Sequence, residues 1–173
     1  MATTVQAGAL ISVRKLEMNE LRVKDAMTHL VVTVDPEDKI TLAAKRLLSN
    51  RISGAPVVQG RRLVGVVSEA DFIKALLPSR RRGSFLTPHP LMLLLLRETP
   101  SLETRHSVVG DVMTKDVVTI RPDDSIWEAA SLIDRHGVRR LPVVDDEDYV
   151  VGILARSDLV RCMARTYEEK KAS

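Results

Sequence analysis

One pattern is written twice in this chain. Val23–Pro36, VKDAMTHLVVTVDP, returns 86 positions later as Val109–Pro122, VGDVMTKDVVTIRP. Aligned without gaps, residues 23–58 and 109–144 agree at 15 of 36 positions, where composition alone yields about two or three. After a slip of one residue, Val64–Asp71 (VGVVSEAD) falls on Val151–Asp158 (VGILARSD). A repeat of this length is a folding unit used twice. Two such units are expected to pack apolar faces together with pseudo-two-fold symmetry, leaving related clefts.

The rest of the sequence bounds what those clefts can hold. A chain of 173 residues with 45% apolar content is long enough for one compact domain or two small halves sharing a core. The single Cys162 excludes an internal disulfide framework and fits a reducing compartment. Residues 1–20 show no secretory signal, and the apolar run Leu91–Leu96 is too short to span a bilayer. A soluble, cytoplasmic protein without a membrane partner is the expectation. Net charge is +3 and aromatic residues make up 3% of the chain. That balance suits small anionic ligands better than nucleic acid, which calls for a basic stripe or stacking platforms. Arg80–Arg82, the one basic run, reads as a solvated loop.

Each copy reads strand, helix, strand, strand, helix, an α+β pattern. In the first, Val31–Val34 is β-branched and stopped by Asp35-Pro36. A helix over 38–50 puts Ile40, Ala43, Ala44, Leu47 and Leu48 on one face. Ala55–Val58 and Leu63–Val67 are strands around a polar turn, and Ser68 is placed to cap a helix reaching Leu77. In the second copy the strands are Val117–Ile120, Leu141–Val144 and Tyr149–Leu154. The helices are Ser125–His136, ended by Gly137, and 156–166. The domain plan is an N-terminal extension 1–20, repeat 1 over 21–77, a linker 78–107 with a short apolar helix near Pro90–Arg97, repeat 2 over 108–166, and a charged, frayed tail 167–173.

The chemistry concentrates at two places per copy. Ser68 and Asp71 stand three apart at a helix start just after Gly65. They form either a capping arrangement or a ligand site, the hydroxyl and backbone N–H groups facing a phosphate while the carboxylate accepts ribose hydroxyls. The second copy keeps the acid as Asp158 but has Ala155 for the serine. Because a cap was expected to need the hydroxyl more than the acid, that persistence favours the ligand role. The second place precedes each strand proline: Ile52-Ser53-Gly54 before Ala55-Pro56, and Val138-Arg139-Arg140 before Leu141-Pro142. Proline keeps the chain extended, leaving preceding backbone groups open to a base edge. Gly54 would admit a flat ring, and Arg139 and Arg140 suit phosphate oxygens, or form a solvated turn. Cys162 and the scattered His29, His89, His106 and His136 form no nucleophile or metal spacing. No active site is expected, so the chain is read as a non-enzyme.

The ordered set resembles a tandem pair of cystathionine β-synthase (CBS) domains, a Bateman module. The pieces that carry the resemblance are Asp25–Thr28 and Asp111–Thr114, then Ala55–Val58 and Leu141–Val144, then Gly65–Asp71 and Gly152–Asp158. It implies two tandem β-α-β-β-α repeats and two clefts for AMP, ADP, ATP or S-adenosylmethionine as regulatory ligand, with no cofactor required. It implies ribose contacts from Asp71 and Asp158, a phosphate or ribose contact from Ser68, and base contacts bordered by Ile52, Ser53 and Gly54. Val138, Arg139 and Arg140 would line the other cleft, with backbone near Thr28 and Thr114 completing both. Ala155 departs from the family's usual Ser or Thr, so the two sites are expected to be unequal, the Asp158 site relying on arginine. A homodimer and a separate protein partner are implied as well. The rival readings are a ligand-independent dimerisation scaffold and nucleic-acid binding through Arg80–Arg82.

Overall fold

Two β-hairpins, each with a helix before it and a helix after it, form the framework of the computed structural model, which describes residues 20–76 and 108–171. In chain order the elements are α1 (Val23–Ala26), α2 (Ile40–Ser49), β1 (Gly54–Gln59), β2 (Arg62–Ser68), α3 (Glu69–Leu76), a 3-10 turn (Val109–Asp111), α4 (Ile126–His136), β3 (Arg140–Val144), β4 (Val150–Ala155) and α5 (Arg156–Lys171). This is the α+β repeat expected. The Ser79–Gly83 loop, the Arg80–Arg82 triplet and the linker helix near Pro90–Arg97 lie outside the described residues, as do residues 1–19 of the N-terminal extension.

The chain divides into two compact units at Val31/Val32 and Val117/Val118. One is continuous in sequence and holds α2, β1, β2, α3 and the 3-10 turn. The other is split and holds α1 together with α4, β3, β4 and α5. The opening segment of each sequence repeat therefore belongs to the unit built around the other repeat's hairpin.

Backbone pairing makes this exchange plain. Val109 and Gly110 N–H groups donate to the carbonyls of Asp38 and Pro36 at 2.9 and 2.8 Å. Their counterparts Val23 and Lys24 donate to Asp124 and Pro122, both at 2.9 Å. Val109 is buried in the core of the continuous unit among Val34, Leu47, Val57 and Phe72. Val23 is buried in the core of the split unit among Ile120, Ile126, Leu141 and Leu154. The methionine four residues later then covers a glycine of the adjoining strand. A Cβ on Gly65 would meet Met113 Sδ at 2.7 Å, and one on Gly152 would meet Met27 Cγ at 3.0 Å and press on its Sδ. The repeated Met-Thr and Gly are thus the two sides of one packing contact.

Within each unit the hairpin is antiparallel, Gly54 opposite Ser68 and Arg140 opposite Ala155, each with a bulge near its turn, at Val57/Val58 and Val143/Val144. The expected strands Val31–Val34 and Val117–Ile120 shrink to single parallel bridges, Val34 to Val57 and Ile120 to Val143. Asp35-Pro36 and Arg121-Pro122 turn the chain away at once. Asp38 and Asp124 fasten those turns by accepting the N–H of Asp35 at 3.0 Å and of Arg121 at 2.8 Å.

The helices follow their patterning. In α2, Ile40, Ala43, Ala44 and Leu47 face the core. In α4, Ser125 caps the N-terminus by accepting the Glu128 N–H at 3.1 Å, and Gly137 ends the helix with φ 63°, the left-handed conformation glycine adopts most cheaply. Helix α5 differs from expectation. It runs on to Lys171 rather than fraying after 166, because Glu168-Glu169-Lys170-Lys171 are good helix formers with no glycine or proline among them. Among the described residues no helix is long and apolar enough to cross a membrane.

Candidate functional site

Each unit presents the same corner, where the end of the hairpin passes directly into a helix. In the continuous unit, Asp71 Oδ2 accepts from the Ser68 backbone N–H at 2.9 Å and from Ser68 Oγ at 2.6 Å. Its other oxygen, Oδ1, lies 3.6 Å from Lys74 Nζ. In the split unit, Asp158 Oδ2 accepts from the Ala155 N–H at 2.7 Å, and its Oδ1 is paired with Arg161 Nη2. Asp158 is 8% exposed, the one buried charged residue among those described.

This geometry corrects the argument from persistence. The hydroxyl of Ser68 donates to the acid instead of accepting a helix N–H, so it does not cap α3. The capping acceptor is the acid three residues on, reaching back to the backbone N–H just ahead of the helix, which is the carboxylate half of a capping box. Asp158 does the same without any serine. Keeping the acid while losing the hydroxyl follows from starting a helix, and does not by itself point to a ligand.

The segment before each strand proline also carries backbone bonds of its own. The carbonyl of Ser53 accepts the Glu69 N–H at 3.1 Å, and that of Arg139 accepts the Arg156 N–H at 3.0 Å. Those two carbonyls receive the first N–H groups of α3 and α5. Gly54 has its own structural reason, since a Cβ there would stand 2.7 Å from the Val67 carbonyl oxygen and 3.3 Å from Ser68 Cβ. Strand β2 makes the close approach there. Ile52 and Val138 pack partly buried against the two cores.

Thr28 and Thr114 complete the corners, with the exchange deciding which. The Thr114 N–H donates to the Val66 carbonyl and the Val66 N–H to that of Thr114, both at 2.9 Å. Thr28 makes the equivalent pair with Ile153, at 2.9 and 3.0 Å. The structure thus gathers Ile52, Ser53, Gly54, Ser68, Asp71 and Thr114 in the continuous unit. It gathers Thr28, Val138, Arg139, Arg140 and Asp158 in the split unit. Sequence reasoning missed Lys74 and Arg161 as the carboxylates' partners, although their i,i+3 spacing after each aspartate was readable. The replacements of Gly54 by Arg140 and of Ser68 by Ala155 were readable, but not that Gly54 pairs with Ser68 and Arg140 with Ala155 across the strands.

Among the described residues no group of three His, Cys, Asp or Glu could hold a metal ion. Burial pushes the Cys162 thiol up from its ordinary value, an effect that neighbouring Arg165 opposes and Asp158 reinforces. It is a packed thiol, not an activated nucleophile.

Two like corners in an exchanged tandem repeat define a duplicated α+β module. The CBS domain profile matches residues 23–78 and 109–165, and the chain belongs to this family, carrying the domain twice. It is 33% identical over 162 residues to an uncharacterized Methanocaldococcus jannaschii protein, MJ1426, covering 86% of this chain and 96% of that one. Other relatives are longer, and the chain spans 21% of an inosine-5′-monophosphate dehydrogenase from Korarchaeum cryptofilum at 31% identity over 75% of its own length. Among solved structures it is similar to CBSX2, a CBS-pair protein from Arabidopsis thaliana. The CBSX2 complex with AMP matches at 29% identity and a TM-score of 0.65, covering 85% of this chain and 98% of that one. It is also similar to the CBS domain pair of MJ0100 in complex with 5′-methylthioadenosine and S-adenosyl-L-methionine, at 25% identity and a TM-score of 0.62 over 82% of this chain and 98% of that one.

Proposed function

We propose that this chain is a regulatory module that takes up an adenosine-type ligand, AMP, ADP, ATP or S-adenosylmethionine, at the two corners. The observation that carries the reading is the match over nearly the whole of a CBS pair solved with AMP. The repeated corner supports it. In both units an aspartate holds the backbone N–H at the end of the hairpin, and a threonine pairs by backbone with the same strand two residues before that end, so acceptor and hydroxyl groups of the kind hydroxyl-rich ligands require belong to one corner. Regulation follows if two arrangements of the protein bind the ligand unequally, since only differential affinity shifts a population. No cofactor enters this scheme and no covalent chemistry is asked of the residues.

Calorimetric titration with AMP, ADP, ATP and S-adenosylmethionine tests the reading. Heat is expected with at least one of them, weakened by about tenfold or more in Asp71→Asn or Asp158→Asn, a loss typical of a charge-assisted hydrogen bond. No heat from all four overturns it and leaves the scaffold reading. Helix α5 supports a homodimer or a contact with a protein partner, because it exposes Val160 (61%) and Met163 (47%) three residues apart, on one side of the helix. Light scattering after size exclusion is expected to give a dimer that Val160→Glu disrupts.

A further inference from the structure

The two corners are alike in backbone and opposed in charge. Position by position, Arg139 stands where the continuous unit has Ser53, Arg140 where it has Gly54, Arg156 where it has Glu69, and Arg161 where it has Lys74. The split corner sets four arginines against Asp158, a net +3, and the continuous corner sets Lys74 against Glu69 and Asp71, a net −1. Counting Arg51, two residues ahead of Ser53, brings the continuous corner only to neutrality.

The backbone brings these four residues to one end of the hairpin. Arg140 is the direct cross-strand partner of Ala155, and such partners share a face of the hairpin, so a long cationic side chain lies over the position where the other copy has a serine hydroxyl. The backbone bond from Arg156 N–H to the Arg139 carbonyl, 3.0 Å, fixes those two residues side by side at the strand ends. Arg161 is held in place by Asp158 Oδ1. A guanidinium has five N–H donors in a rigid fork suited to phosphate oxygens, and the Asp158 contact engages one of its nitrogens.

Resting on the adenosine reading above, we infer that the Asp158 corner is the polyphosphate-selective one. It takes ADP or ATP in preference to AMP, and the Asp71 corner has no such preference. Going from AMP to ATP adds roughly two negative charges, and clustered cations raise affinity for the more highly charged ligand in a salt-dependent way. Asp71, Glu69 and Ser68 give the other corner nothing to gain from added phosphates.

The test is calorimetry with AMP, ATP and inorganic tripolyphosphate, at low and high salt, on the wild type and on Arg139→Ser/Arg156→Glu. Both side chains are exposed, each replacement is the other corner's own residue, and the Arg156–Arg139 backbone bond is retained, so the melting temperature is expected to hold. The wild type is expected to favour ATP over AMP by about tenfold or more at one of its sites, an advantage shrinking as salt rises. The variant is expected to bring ATP to within about threefold of AMP, the ratio of the two affinities being the readout. AMP and ATP bound alike by the wild type, or an ATP preference that survives in the variant, overturns the inference while leaving the adenosine reading intact. Tripolyphosphate binding that the variant loses, with no heat from AMP, ADP, ATP or S-adenosylmethionine, keeps the anion-binding corner and overturns the adenosine reading instead.

Discussion

Asp158 accepts the Ala155 N–H, pairs with Arg161 and is buried, so truncating it strips α5 of its starting acceptor and removes Arg161's partner. Asp158→Ala is expected to cost about 1–3 kcal/mol of stability in urea denaturation, the range for a lost cap or a buried bond to a charged group. Asp158→Asn keeps an acceptor oxygen and is expected to cost about half as much. Loss of ligand in the alanine variant would therefore mix folding with binding, and the asparagine variant separates them. Cys162 makes a different residue-scale prediction. Burial raises its pKa, so the protonated thiol is favoured in the folded state. The contribution to stability is fully present below the unfolded thiol's pKa and is lost as pH rises through the higher folded value. Ellman's reagent is expected to react more slowly with the native protein than with the urea-unfolded chain near neutral pH, the gap narrowing as the solution turns alkaline. Equal rates near neutral pH would show the thiol to be unshielded.

At the scale of elements, the Met27–Gly152 contact joins α1's segment to β4. Gly152→Ala is expected to destabilise by about 1–3 kcal/mol through overpacking. Adding Met27→Ala, which removes the three methionine atoms a new Cβ would press upon, is expected to cost less than the sum of the single changes by about 1 kcal/mol in a double-mutant cycle. Strict additivity would mean the methionine simply swings aside. The elements themselves were legible in the sequence. Gly60 and the Asp145–Asp148 turn mark the hairpins, apolar spacing marks α2 and α4, and Ser125 and Gly137 mark the ends of α4. The exchange was not legible, for a physical reason. Val23 and Val109, like Met27 and Met113, are identical side chains for two near-identical pockets, so pattern alone cannot say which hairpin each joins. The corners were half legible. The named residues fall at these corners, but Ser68 and Asp71 can each act as acceptor, and only the structure shows which oxygen receives the backbone N–H just ahead of the helix.

For the whole molecule, the units differ in how they are threaded. Every core residue of the continuous unit, from Val34 to Val109, lies within residues 32–117, whereas the split unit's core needs Val23 as well as Ile120–Leu159. A fragment of residues 32–117 is expected to unfold cooperatively in a thermal melt. A fragment of residues 118–173 is expected to give no transition until a peptide of residues 20–31 is supplied in trans. A cooperative melt of residues 118–173 alone would contradict the role given to the exchanged segment. The same threading imposes an order in time when the chain is made from its N-terminus. Val23 and Met27 emerge long before β3 and β4 exist, and the first hairpin they meet is β1–β2. The carbonyls of Pro36 and Asp38 in the same unit, and the hollow over Gly65, match the ones they will finally use. The growing protein thus carries a decoy for its own first segment, and the arrival of Val109 and Met113 is the event that settles which copy keeps the place.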